Sequence, residues 1–83
     1  MAKIRNWTRI KGRDAWRNDE SGIVVEVADL RDYGANGYGF GFFDPNVNKI
    51  RGIDGGYASD NRNTTYKKAV QWLKAHPYIE KRW

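Results

Sequence analysis

The sequence predicts an α+β domain: a three- or four-stranded antiparallel sheet packed on one C-terminal helix, in the order β-β-β-β-α. Two patterns predict it. Apolar residues alternate with polar ones or glycine in short runs up to residue 54, the two-residue period of strands. From Tyr66 the spacing changes: Tyr66, Ala69, Val70 and Leu73 recur at i, i+3, i+4 and i+7, one face of a helix. Strands followed by a lone helix, with no βαβ alternation, suit a sheet covered on one side.

Residues 1–12 place Ile4, Trp7 and Ile10 among Lys3, Arg5, Arg9 and Lys11, which suits a basic docked arm or an edge strand. A short strand centred on Trp16 follows over residues 13–18. Asp19-Glu20-Ser21-Gly22 then turns the chain, with side-chain acceptors and a glycine that tolerates positive φ. Residues 23–29 form the clearest strand, with Ile23, Val25 and Val27 on one face and Val24, Glu26 and Ala28 on the other. Asn36-Gly37 is a turn signal. Residues 38–43 form a strand with Tyr38, Phe40 and Phe42 on one side and Gly39, Gly41 and Phe43 on the other. Pro45 marks a bend. Residues 49–54 make a fourth strand, with Ile50 expected to point inward, and residues 55–63 a polar loop without periodicity. The helix is expected to start at Asn63 or Thr64 as N-cap and to stop at Pro77, since the residue before proline is pushed out of the helical region. Residues 78–83 form a short tail.

The 83 residues make a single domain, 1–83, and 40% hydrophobic with 14% aromatic content is enough for a core, which argues against disorder. With no cysteine, disulfide and zinc-knuckle frameworks are excluded. Apolar runs are too short for a membrane span or a secretion signal, so the expected location is cytoplasmic, with no membrane partner.

The net charge of +5 is unevenly spread. Residues 1–17 carry a local balance of +5, residues 18–48 one of −5, and residues 49–83 one of +5. Basic segments of this kind favour an anionic partner. No catalytic set emerges: there is one histidine, His76, at the expected helix end, and no cysteine or paired-carboxylate arrangement. An enzyme is not expected, nor a cofactor. Asp44-x-Asn46-x-Asn48 imitates the start of a calcium loop, but Lys49 stands at the glycine position and Gly55 at the bidentate glutamate, so no metal is expected.

The segment Asn36-Gly37-Tyr38-Gly39-Phe40-Gly41-Phe42-Phe43 resembles the ribonucleoprotein octamer of RNA-recognition domains and the Gly-aromatic core of cold-shock domains. Gly37, Tyr38, Gly39, Phe40 and Phe43 match; Asn36 replaces the basic residue and Gly41 the aliphatic one. The resemblance implies bare rings that stack on bases. The upstream partner motif is missing, since residues 25–30 carry Glu26 where an aromatic belongs. The competing expectation is that Tyr38, Phe40 and Phe42 lie beneath the helix. The opposite face is then flat at Gly39 and Gly41, with Arg13, Arg17, Lys49 and Arg51 projecting from it. In architecture such a sheet resembles plant ethylene-response DNA-binding domains.

A wider resemblance rests on Asn6-Trp7-Thr8-Arg9, Ala15-Trp16-Arg17-Asn18 with Ser21-Gly22, and Ala69-x-x-Trp72-Leu73-x-x-His76-Pro77. These are similar to motifs of small uncharacterised archaeal and archaeal-virus proteins, a family that implies no activity. Many of its members are acidic, whereas this chain is basic.

The leading expectation is a small basic protein that binds DNA or RNA through its phosphates, using Arg5, Arg9, Lys11, Arg13, Arg17 and Arg51. The rival expectation is a protein-interaction or inhibitory module acting through Trp83, Tyr57 and the acidic middle loops. A structural subunit of a larger assembly ranks third.

Overall fold

Alternating side chains can bury one face of a sheet only if something covers it, and here a single helix does. The structure is a computed structural model that describes residues 3–33, 37–44, 49–52 and 58–79. Its elements are β1 (Trp7–Arg9), β2 (Ala15–Asn18), β3 (Val24–Asp29), a 3-10 turn (Leu30–Tyr33), β4 (Tyr38–Asp44), β5 (Lys49–Gly52), β6 (Ala58–Ser59) and α1 (Arg62–Ala75). The α+β class and the order of strands before helix are as expected. No helix among the described residues is long and apolar enough to cross a membrane.

All pairings are antiparallel, in the order β1-β2-β3-β4-β5, with β6 pairing β4 beside β5. The basic arm supplies the edge strand β1, in register Trp7 with Asn18 and Arg9 with Trp16. β6 lies inside the stretch expected to be a plain loop. Gly37 shows what holds it there: its φ is +88°, and a Cβ on it would lie 2.5 Å from the Ser59 carbonyl oxygen. Only glycine lets the turn before β4 approach the β6 backbone so closely.

The core contains Trp7, Trp16, Ile23, Val25, Val27, Phe40, Phe42, Ala69 and Leu73. Phe40 and Phe42 are buried beneath the helix and Tyr38 and Phe43 are half-buried, so the rings of the octamer-like segment do not form one bare stacking face. The helix residue they meet is Trp72, whose ring lies 6.4 Å from Phe40, 5.9 Å from Phe42 and 6.3 Å from Trp7. Tilted and edge contacts at such distances are favoured by the ring quadrupoles.

The helix starts earlier than expected. Asn61, not Asn63 or Thr64, is the N-cap, and its side chain accepts a hydrogen bond from the Thr64 amide. The first turn is polar, so the apolar stripe becomes visible only after the helix is under way. Thr65 is fully buried there, its hydroxyl within hydrogen-bond distance of the Tyr38 and Asn61 carbonyls. The helix ends at Ala75 with His76 as C-cap, directly before Pro77 as expected.

Asn6-Trp7, Asn18 and His76-Pro77 converge on one knot. Trp7 Nε1 donates to the His76 carbonyl (3.0 Å), and Asn6 and Asn18 both donate from Nδ2 to the Pro77 carbonyl (3.3 and 3.1 Å). Asn18 Oδ1 accepts from the Glu20 and Ser21 amides and the Ser21 hydroxyl, so one buried side chain closes the β2–β3 turn and anchors the tail. Asn6 adopts φ of 64°, a region that asparagine tolerates better than most residues. These residues build the fold.

Candidate nucleic-acid interface

Directly paired residues on neighbouring strands project to the same side of a sheet, so register decides which cations share a face. One register row runs Arg9, Trp16, Val25, Phe42, Arg51, and Phe42 in it lies beneath the helix. The adjacent row runs Thr8, Arg17, Val24, Phe43, Ile50 on the outer side. The expected parity of β5 is therefore reversed: Ile50 falls in the outer row and Arg51 in the helix-side row. The side chains of β5 lie outside the described residues.

Of the expected phosphate contacts whose side chains are described, Arg9 lies on the helix side and Arg17 on the outer side, so they do not share one face. On the outer side, Arg17 is exposed, and Arg13 lies 5.1 Å over the Phe43 ring. Arg13 also pairs with Glu26 at 2.7 Å, which neutralises much of its field in the middle of the flat face. Arg5 belongs to the arm, where it donates to the Tyr78 hydroxyl at 3.3 Å and lies 5.9 Å from that ring. Lys11 is exposed in the β1–β2 turn. Among the described residues Lys11 makes no ion pair.

Arg9 occupies a different setting, at a groove on the helix side. The groove encloses about 610 Å³, and Ile4, Trp7, Trp16, Tyr66 and Val70 give it an apolar lining. Its polar lining is Arg9, Lys67, Gln71 and Lys74, three cations and an amide, with no carboxylate among the described residues that line it. Trp7 and Trp16 are almost wholly buried, whereas Ile4, Tyr66 and Val70 keep accessible surface. The Tyr66 ring lies 5.2 Å from Trp16, tilted by 51°, and 5.5 Å from the Arg9 guanidinium.

Local structure explains the rim. Lys67, Gln71 and Lys74 fall at i, i+4 and i+7 on α1, one stripe beside Tyr66 and Val70. Arg9 reaches the groove because it follows Trp7 by two residues in β1 and shares its face. Asp14 holds Arg9 at 3.0 Å and also pairs with Arg62 at 3.0 Å. Lys67 and Lys74 are exposed and make no ion pair among the described residues. Neither was expected at the site. Their spacing on the helix is that of any polar face and does not by itself mark a groove rim.

Other electrostatics lie elsewhere. The Arg31 side chain and amide donate to Asp29 and hold its carboxyl at about 2, below the usual 3.8. Hydrogen bonds from Lys3 and Thr8 lower Asp19 likewise. His76 stacks on Trp72 at 4.2 Å, and its Nδ1–H donates to the Trp72 carbonyl at 2.8 Å, which fixes the ring at the helix end. Among the described residues no group of three or more His, Cys, Asp or Glu could hold a metal ion. The calcium-like segment after Asp44, and Tyr57 and Trp83 of the rival expectation, lie outside the described residues. No protein-family model, curated protein or solved structure matches the chain.

Proposed function

We propose that the domain binds DNA or RNA with little sequence preference, gripping phosphates with Arg9, Lys67 and Lys74 around the helix-side groove. Arg5 and Lys11 on the arm extend the same grip. The observation that carries this reading is the groove itself: three cations line an apolar cleft, Arg9 sharing Asp14 with Arg62 and Lys67 and Lys74 making no ion pair among the described residues. An acidic partner is favoured there by Coulomb attraction, and phosphate is the anion that a polymer presents at regular spacing. The flat outer face plays a smaller part, because Glu26 both occupies Arg13 and repels phosphate.

Titration of fluorescein-labelled single-stranded and duplex oligonucleotides at two salt concentrations tests the reading. The expected result is binding at low salt whose logarithm falls against log salt with a slope of about −3.5 to −4.5, for roughly five neutralised phosphates. Absence of binding to either form at low salt overturns it.

A further inference from the structure

We infer that the helix-side groove admits an unpaired base, so that the domain prefers single strands to duplex. This inference rests on the nucleic-acid reading and adds the form of the strand. A groove rimmed only by charge would serve any phosphate backbone. This one has an apolar interior of about 610 Å³, within the range that encloses small organic ligands. Phosphates have no use for such an interior, whereas a base is a flat ring with two apolar faces and a polar edge, covalently tied to a phosphate.

The chemistry is placed to receive both parts. Tyr66 and Val70 are half-buried inside the groove, and the Arg9 guanidinium lies 5.5 Å from the Tyr66 ring centroid. A base entering beside Tyr66 meets an aromatic ring and a guanidinium, the two surfaces on which unpaired bases stack. Lys67 and Lys74, two helical turns apart on the rim, then face the phosphates on either side of the inserted nucleotide. A duplex keeps its bases paired and stacked inside, and would leave the apolar lining empty.

The groove-filling variant Val70→Trp tests this without removing charge. The probes are a fluorescein-labelled oligothymidylate of about ten nucleotides, within the usual span of single-strand sites, and a duplex of the same length. The expected result is at least a tenfold loss of single-strand affinity in Val70→Trp with duplex affinity unchanged. Gln71→Glu, an exposed change on the rim, should weaken both probes. Circular dichroism and thermal melts establish that each variant is folded. Should Val70→Trp not fold, Tyr66→Leu, which keeps an apolar side chain but removes the ring, is read in its place with the same tenfold expectation.

Equal loss for both probes in the groove variant, or no loss for the single strand, overturns the inference while nucleic-acid binding stands. Binding of neither probe by the unaltered protein removes both. Displacement of the single strand by an acidic, aromatic-bearing peptide at equal concentration also overturns the inference, since the groove would then be a protein-docking site.

Discussion

The Asn18 side chain donates to the Pro77 carbonyl at 3.1 Å, joining the first hairpin to the residue that ends the helix across 59 positions of chain. Asn18 is 1% exposed, and its oxygen simultaneously closes the β2–β3 turn, so neither end of the amide can be lost cheaply. Removing a buried hydrogen-bonding group leaves its former partners desolvated and unmet.

Asn18→Ala should therefore destabilise the domain by about 2–3 kcal/mol, at the upper end for one buried polar side chain. Asn18→Asp keeps an acceptor for the turn but loses the donor to Pro77, and should expose the tail without opening the hairpin. Urea melts give the first quantity, and amide hydrogen exchange at residues 76–79 against residues 20–23 separates the two.

Gly37→Ala should cost about 2 kcal/mol or more, because the new Cβ meets the Ser59 carbonyl as well as an unfavourable φ of +88°. Gly12 has a similar φ of +79° but open space around it, so Gly12→Ala should cost only about 1 kcal/mol. In a domain of this size each kcal/mol moves the melting temperature by about 4–8 °C, within reach of calorimetry.

At the proposed interface, Lys67→Gln and Lys74→Gln should each reduce the salt slope by about one and weaken single strands and duplexes of different sequence alike. Glu26→Gln frees Arg13 on the outer face. If binding proceeds through the groove, that change leaves the affinity within about twofold; a marked rise would move the interface to the sheet's other side.

Acid stability should show a component set by Asp29. Its carboxyl lies at about 2 in the folded protein, below the ordinary 3.8, because Arg31 hydrogen-bonds its charged form. A depressed value means stability that is fully present above the unfolded value and is lost as pH falls through about 2. Asp29→Asn should flatten the stability profile across that window, and carboxyl NMR titration should place the midpoint near the lower limit.

Much of this architecture was legible because short strands and an amphipathic helix leave periods in the sequence. Ile23, Val25 and Val27 declared their face, as did Phe40 and Phe42, since alternation is local. What failed was parity. Register pairs Ile50 with Phe43 and Arg51 with Phe42, the reverse of the expected parity, because a strand's register is set by the preceding turn and not by its own composition. β6 left no pattern, since two residues cannot express a period and its place depends on the distant Gly37. The groove was illegible for a related reason. Lys67 and Lys74 have the spacing of a solvated helix face, and only the docking of the arm's Trp7 and Ile4 beside that helix turns the same stripe into a wall.

One carboxylate at the edge of that wall has a further consequence. Asp14 is shared by Arg9 and Arg62, so Arg9 has a stand-in. When a phosphate draws Arg9 away, Asp14 still has a counter-ion on the helix, and no bare negative charge is left facing the incoming anion. Capture at Arg9 thus becomes a change of partners within a trio that carries one net positive charge, a device that keeps the cation poised when empty and releasable when needed.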